Sequence, residues 1–281
     1  MTVLAWRKGK SAGMTLLMAL FTMAVLIPLV LIFIHIIKMG FSSINLDFFT
    51  QIPKPTGETG GGMANGLAGS AILIVLASTL GIPVGIFGAI YLTEYGGGRF
   101  SDLIRFCADV LSGIPSIITG MVAYTLLVVP LKGFSALAGA FALSLIMIPI
   151  VLRTTEEQLK LVPGTLREAS LALGIPLWRT TLKVTLRSAL TGVITGILLS
   201  IARVAGETAP LLFTALGNQF WSRKLTEPIA AMPLQIFSFA ISPYDDWHRL
   251  AWAAALVLMG LVLMLALAAR WAIRQRHGAA R

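Results

Sequence analysis

The stretch S-A-L-T-G-V-I-T-G-I-L-L-S-I-A-R-V-A-G-E-T-A-P (188–210) is apolar over the length of a membrane span, yet it carries two charges. A helix needs ~20 mostly apolar residues to cross the ~30 Å hydrocarbon layer, and this run is long enough. Its charges are Arg203 and Glu207, four residues apart. One charge at the centre of a span costs on the order of 2.5–3.5 kcal/mol on insertion scales. The stretch therefore predicts a membrane helix with a candidate functional site.

The composition of the whole chain indicates an integral membrane protein. Of its 281 residues, 57% are hydrophobic and 12% are charged, and the mean hydropathy is +0.86. Soluble domains carry about 25% charged residues. The single cysteine, Cys107, excludes an intrachain disulfide, and the three histidines lack metal-ligand spacing. We expect no metal site and no cofactor in this chain.

Six stretches have the length and hydropathy of membrane spans. They are 14–37, 67–93, 106–131, 134–152, 188–216 and 249–271. The first is too long for a signal-peptide core and is interpreted as an uncleaved anchor. The predicted fold is an all-α integral membrane protein with six transmembrane helices. Around these spans lie a tail (1–13), an external loop (38–66), a core (67–271) with a long inner loop (153–187), and a basic tail (272–281).

The distribution of Lys and Arg between the loops predicts the orientation of the chain. With the N-terminus in the cytoplasm, 15 of the 22 basic residues lie on that side, 6 lie on the other side, and Arg203 lies in a span. The positive-inside rule then places both termini in the cytoplasm. The same distribution accounts for the net charge of +10, so no basic cluster is left over to bind nucleic acid.

The sequence lacks the common motifs of ATP hydrolysis and of hydrolytic catalysis. It has no G-x-x-x-x-G-K-[ST] loop, no G-x-S-x-G elbow, no H-E-x-x-H and no Cys–His pair. An intramembrane enzyme is therefore disfavoured, and transport is the leading class. The Gly-rich stretch T-G-E-T-G-G-G-M-A-N-G (56–66) is expected to be a flexible connector with Asn65 as a helix cap. Alternatively, its free backbone N–H groups form part of an anion-receiving surface.

The inner loop 153–187 contains a second informative pattern. Thr165 is expected to cap a short helix that runs to Leu173, and Gly174 follows as its stop signal. Its apolar stripe consists of Leu166, Ala169, Ala172 and Leu173. The order of elements is Glu168-Ala169-Ser170, three residues, Gly174, nine residues, and Val184-x-Leu186.

This order resembles the signature of ABC-importer permeases, which reads Glu-Ala-Ala, three residues, Gly, nine residues, Ile-x-Leu-Pro. The chain departs from it at Ser170, Val184 and Arg187, which stand for Ala, Ile and Pro. In that family the loop is a coupling helix that contacts a separate ATPase subunit. The resemblance assigns this coupling role to Glu168, Ala169, Ser170 and Gly174.

Further stretches narrow the resemblance. They are G-I-P-V-G-I-F-G-A-I-Y-L-T-E-Y-G (81–96), L-S-G-I-P-S-I-I-T-G (111–120) and R-V-A-G-E-T-A-P-L-L-F-T-A (203–215). Over roughly residues 62–271 the chain is similar to PstA-type permeases of the phosphate-specific ABC importer, a type I (MetI-like) importer. The resemblance implies a subunit of the bacterial inner membrane that forms half of the path for inorganic phosphate. It also implies a second permease, two ATPase subunits that bind ATP and Mg, and a soluble phosphate-binding receptor as partners.

Two other functions remain open from the sequence. One is a permease for another oxyanion, sulfate or molybdate, and the other is a membrane scaffold that does not transport. Co-purification with an ATP-binding subunit distinguishes the scaffold from a permease.

Helical geometry groups the candidate path residues on one face of the fifth span. At 100° per residue, Gly192, Gly196, Ser200, Arg203 and Glu207 share one sector. The two glycines form a G-x-x-x-G, which lets another helix approach closely. The charged pair either lines the substrate path, where Arg can hold phosphate bidentately, or only holds two helices together.

Prolines in the spans predict local distortions of the helices. Pro83, Pro115 and Pro149 are expected to kink the second, third and fourth spans. Ser112 and Ser116 flank Pro115, where they either bond to the freed carbonyls or line the path.

Overall fold

The computed structural model describes residues 3–56, 58 and 60–278, and over these residues the chain is almost entirely helical. In chain order the α-helices are α1 (Val3–Gly40), α2 (Leu46–Thr50), α3 (Ala64–Ile90), α4 (Gly98–Gly113), α5 (Ser116–Ala123), α6 (Val129–Leu131), α7 (Ala136–Lys160), α8 (Gly164–Ala172), α9 (Leu177–Thr180), α10 (Leu186–Val204), α11 (Ala209–Thr214), α12 (Met232–Ala240) and α13 (Asp245–Gly278). Three π-helical segments extend or join them: Tyr91–Tyr95, Tyr124–Val128 and Thr181–Thr185. Helices satisfy their own backbone groups, which lipid cannot do.

Five helical stretches of the described chain are long and apolar enough to cross a membrane. They are Trp6–Ser43, Ala64–Tyr95, Ala136–Lys160, Leu177–Val204 and Asp245–Trp271. A sixth candidate is the pair Gly98–Gly113 and Ser116–Leu131, whose axes are bent by 107°. The chain is therefore a multi-pass, all-helical membrane protein.

The first and last helices extend beyond the predicted spans. Helix α1 covers most of the predicted tail 1–13 as well as the span 14–37, and α13 continues through the described part of the tail 272–281. Hydropathy marks the apolar part of a helix only, whereas the hydrogen-bonded ladder continues into polar residues.

The predicted third span, 106–131, is broken in two rather than kinked. Helix α4 ends at Gly113, and Ile114 is extended with a ψ of 133°, as expected for the residue before a proline. Pro115 also lacks the N–H that would continue the ladder. The N-terminal part of the predicted span therefore belongs to α4, an amphipathic helix with charged residues along one side. By contrast, α3 and α7 run on through Pro83 and Pro149.

The predicted fifth span, 188–216, is also interrupted. Helix α10 ends at Val204, residues 205–208 are not helical, and α11 begins at Ala209. Gly206 disfavours helix, and Pro210, in the first turn of α11, cannot donate a hydrogen bond back to α10. A short non-helical segment thus separates the end of α10 from the start of α11.

Helices α3 and α7 are the central pair of the bundle and run parallel, since Gly139 meets Leu73 and Gly85 meets Val151. Their contact buries Leu73 and Ala77 of α3 against Leu143, Met147 and Val151 of α7. We call the end of the bundle where α1 begins and α7 ends the N-terminal face. Helix α10 begins at this face and runs antiparallel to α7.

Asn65 does not cap α3, which corrects the prediction from the Gly-rich stretch. The helix begins at Ala64, and its N-cap residue makes no side-chain hydrogen bond. The Asn65 side chain instead donates to the carbonyls of Asn218 and Gln219, at 3.1 and 2.9 Å, and accepts from Gln235 at 3.1 Å. It ties α3 to the loop before α12. The anion-receiving role of residues 56–66 stays a prediction.

Candidate functional site

Arg203 and Glu207 lie on either side of the end of α10. The Arg203 carbonyl accepts from Gly206 N at 3.3 Å, and the Val204 carbonyl accepts from Glu207 N at 3.1 Å. These two tight turns end the helix, so Glu207 is not on the helical face that the sequence predicted. The side chains nevertheless meet, with 3.3 Å between Arg203 Nη2 and Glu207 Oε1. A cation in the last turn of a helix is also favoured by the helix dipole.

The packing of α10 on α7 gives the depth of this pair. Gly192 lies against the Gln158 side chain and Gly196 lies against the Thr154 side chain. Extrapolated along the two helices, the same antiparallel register puts Arg203 at about the level of Met147, near the middle of α7. This level is about 16 Å from the Ala136 end of α7 at 1.5 Å per residue. Arg203 therefore lies close to the middle of the predicted membrane layer.

The exposure of the two charged side chains differs sharply. The Arg203 side chain is 62% exposed, whereas Glu207 is 11% exposed. An exposed guanidinium at this depth is not tolerated against lipid, and such groups face a cavity or another protein chain. Irregular backbone at membrane depth, as in residues 205–208, is subject to the same restriction. This face of the subunit is thus not a lipid-facing surface.

Ser200 does not belong to an open strip on α10. Its side chain is fully buried, and its hydroxyl donates to the Ile197 carbonyl at 2.7 Å. Gly192 and Gly196 are covered by α7, as described above. The helical face predicted from the sequence is therefore packed against other helices from Gly192 to Ser200. Of the residues predicted to share it, Arg203 is the one whose side chain is mostly exposed.

Ser112 and Ser116 lie at the break between α4 and α5. Ser112 is exposed and donates to the Ala108 carbonyl at 2.9 Å, while Ser116 opens α5 and is half-buried. Gly120 packs on Pro210: a Cβ atom at Gly120 would lie 2.6 Å from Pro210 Cα.

The two helix breaks lie near one contact between helices. Gly120 of α5 packs directly on Pro210 of α11. Ser116 is about one helical turn before Gly120 at 3.6 residues per turn, and the non-helical residues 205–208 come directly before Ala209 and Pro210. The break at Pro115 and the break at 205–208 therefore both lie close to the contact between Gly120 and Pro210.

The residues of the predicted coupling loop fall into two groups. Glu168 and Ala169 are exposed on α8, whereas Ser170 is buried and its hydroxyl lies 2.8 Å from that of Thr180. Ser170 thus faces into the loop, and its predicted coupling role stays a prediction. Gly174 ends the helix with a φ of +75°, a conformation that favours glycine.

The outer surface of α8 is apolar. Leu166, Leu171 and Leu173 are 44%, 44% and 80% exposed on this short helix. An amphipathic helix with a bare apolar side at a protein surface is typical of a contact site for another chain.

A buried ionic cluster at the N-terminal face escaped the sequence analysis. Glu156 of α7 has a side chain that is 2% exposed, and it accepts from Arg105 at 2.8 Å, Lys160 at 2.7 Å and Arg153 at 3.3 Å. Arg153 also pairs with Asp109 of α4. The cluster holds α4 against α7. The spacing of Arg153, Glu156 and Lys160 within α7 was visible in the sequence, but nothing in the sequence indicated their partners on α4.

The geometry defines a multi-span membrane permease, with a charged group exposed at mid-depth and an apolar helix on a loop at one face. The chain belongs to the family of binding-protein-dependent transport system inner membrane components, whose model matches residues 81–276. Among its relatives are the phosphate transport system permease proteins PstA of Yersinia pestis and Haemophilus influenzae. The first is 47% identical over 95% of this chain and 90% of the relative, and the second is 43% identical over 92% of each.

Solved structures of ABC transporters share the fold. A chain of the MetNI methionine ABC transporter in an inward-facing conformation aligns with a TM-score of 0.58 and 18% identity, over 75% of this chain and 92% of that one. A chain of the bacterial alginate ABC transporter, crystallised with an alginate-bound periplasmic protein, aligns with a TM-score of 0.61 and 15% identity, over 94% and 95%. At these identities the likeness concerns the fold alone.

Proposed function

We propose that the chain is a permease subunit of an ATP-driven importer of inorganic phosphate, and that Arg203 lines the path of the anion. The observation that carries this proposal is the exposed guanidinium at mid-depth, at the end of an interrupted helix. Relatives at 43–49% identity over most of the chain carry the description of phosphate transport permeases.

Arg203 has the chemistry for a passing oxyanion. Its planar guanidinium can donate two parallel hydrogen bonds to phosphate. Glu207, 3.3 Å away, partly neutralises it. A site in a path must bind weakly enough for the anion to leave, and the carboxylate supplies that weakening. Ser112 and Ser116, at the break between α4 and α5, are proposed as further polar groups of the path.

The chain needs partners to complete this function. The open side of Arg203 is where a second permease would close the path. The apolar outer surface of α8, with Glu168, Ala169 and Gly174, is where an ATPase subunit would bind. The proposed complex has two ATPase subunits, which hold ATP and Mg, and a soluble receptor that delivers phosphate. The N-terminal face is proposed to be cytoplasmic, in the bacterial inner membrane.

The test is phosphate uptake by the reconstituted complex with Arg203→Gln. We expect uptake to fall at least about tenfold, with the complex still assembled, because an exposed side chain contributes little to folding. Arg99→Gln is the matched control, since it removes an exposed positive charge at the N-terminal face. Normal uptake by Arg203→Gln would rule out the path role.

Exchanging the two charges distinguishes the path from a structural ion pair. The double variant Arg203→Glu, Glu207→Arg keeps an i, i+4 pair but moves the cation to a mostly buried position. A structural pair tolerates the exchange, whereas a positioned anion contact does not. Recovery of wild-type uptake would therefore assign the pair to helix packing. Competition by sulfate and molybdate in the same vesicles tests the alternative oxyanions.

A further inference from the structure

Arg167, the residue before Glu168 on α8, makes a dense set of polar contacts with the membrane helices. Its Nε donates to Glu94 Oε1 at 2.9 Å, and its Nη2 lies 2.9 Å from the same oxygen. Nη1 donates to the Val162 carbonyl at 2.9 Å, and Nη2 donates to the Leu159 carbonyl at 2.8 Å. The side chains of Arg167 and Glu94 are 22% and 3% exposed.

The partners of Arg167 are the ends of two membrane helices. Glu94 lies in the π-helical segment Tyr91–Tyr95 that ends α3, and Leu159 lies in the last turn of α7. The last carbonyls of a helix lack partners within it, and a cation there is favoured. A guanidinium has five donors in a fixed plane, so one side chain can serve a carboxylate and two carbonyls at once.

The surroundings of this contact are well packed. Ala89, Ile90, Leu159 and Val162 are buried in one apolar cluster with residues at the start of α10. The other polar contact of α8, between Ser170 and Thr180, stays within the loop. Arg167 thus connects α8 to α3 and α7 through polar contacts. Helix α7 in turn contacts Gly192 and Gly196 of α10.

We propose that the Arg167–Glu94 pair fixes α8 to α3 and α7, so that a displacement of α8 by an ATPase subunit moves these helices and the α10 end that carries Arg203. Arg167 is then a positioning residue for transport. This inference rests on the proposed function, because it needs an ATPase bound at α8. Without the Arg167–Glu94 pair, α8 would move independently of α3 and α7, and ATP would be hydrolysed without transport.

The test measures ATP hydrolysis and phosphate uptake together in vesicles that contain the whole complex. Because Arg167→Gln leaves Glu94 without its cation, assembly of this variant is verified first; in the assembled complex we expect ATP hydrolysis to persist and phosphate moved per ATP to fall at least about tenfold. Arg167→Lys should fall between, because an ammonium is a point charge and cannot serve all three acceptors. Arg99→Gln is the charge-matched control and should keep the wild-type ratio.

A double variant separates positioning from stability. Arg167→Met with Glu94→Met removes both charges, and replacing a buried pair by hydrophobic residues of similar volume is often neutral for stability. We expect it to assemble and still transport poorly per ATP. A wild-type ratio in Arg167→Gln or in the double variant would overturn the proposal, and so would loss of the complex in both. Absence of uptake by the wild type would overturn the proposed function, and the coupling role with it.

Discussion

At the scale of single residues, the structure depends on where charge is placed relative to the membrane. Arg203 is exposed at mid-depth, whereas Glu156 and Glu94 have almost no exposure and lie among cations. A buried charge that is paired costs little, but the same charge without its partner is strongly destabilising. The buried carboxylates therefore maintain the fold, and the exposed guanidinium is the one free to meet a ligand.

Removal of the Glu156 carboxylate should destabilise the protein. Glu156→Ala leaves Arg105, Arg153 and Lys160 without their shared counter-charge, and breaking such a buried pair costs on the order of 3–5 kcal/mol. We expect a lower melting temperature in detergent and a looser α4, seen as faster proteolysis there. Glu157→Ala is the control, since Glu157 is exposed on the same helix. Equal effects of the two variants would contradict the structural role of Glu156.

At the scale of elements, hydropathy predicted the long helices and missed their interruptions. The apolar runs of α3, α7 and α13 were visible in the sequence, since every residue of a run contributes to its hydropathy. The break at 205–208 was not, because Ala205 and Gly206 do not lower hydropathy although they end the ladder. The burial of Ser170 was not visible for another reason: its match to a family motif says nothing about which way its hydroxyl points.

Contacts between residues far apart in the chain could not be predicted from the sequence. Arg167 and Glu94 are 73 positions apart, and Arg105 and Glu156 are 51 apart. No local spacing rule joins such residues. Arg203 and Glu207 were found because a charge in an apolar run is conspicuous by itself, yet their different exposure became visible only in the folded chain.

The seam between α7 and α10 should not tolerate larger side chains. In Gly196→Ala the new Cβ would collide with the Thr154 side chain, whose Cβ would be 2.8 Å away. We expect the helices to separate and phosphate uptake to fall severalfold, because the position of Arg203 depends on this contact. The double variant with Thr154→Gly should recover part of the uptake by removing the obstructing side chain.

Gly260→Ala is the control for the substitution itself. Gly260 lies in α13 with open space around its Cα, and alanine favours helix over glycine by about 1 kcal/mol. This variant should be neutral or slightly more stable. If Gly196→Ala behaves like Gly260→Ala, the packing of α10 on α7 is not what positions Arg203.

At the scale of the whole molecule, the N-terminal face and the middle of the bundle differ in their ionic contacts, and this difference agrees with the proposed place of the subunit in a complex. Helix α1 is peripheral and contacts α13 near its own end, where His35 meets Trp252 edge-on at 5.1 Å. The buried ionic contacts of Glu94 and Glu156 lie at the N-terminal face, next to the loop that carries α8. The N-terminal face is thus held together by buried ion pairs next to α8, whereas Arg203 in the middle of the bundle has an exposed side chain.

The orientation in the membrane is a prediction from the distribution of basic residues along the chain. The sequence assigns 15 basic residues to one side of the predicted spans and 6 to the other, and the positive-inside rule therefore predicts that α8 and both termini are cytoplasmic. Alkaline phosphatase, which is active only outside the cytoplasm, should therefore be inactive when fused after Arg281. The same enzyme inserted between Arg223 and Lys224, in the loop before α12, should be active. The opposite pair of results would invert the topology and would move α8 away from any cytoplasmic ATPase, so this measurement bears on the coupling role as directly as on the fold.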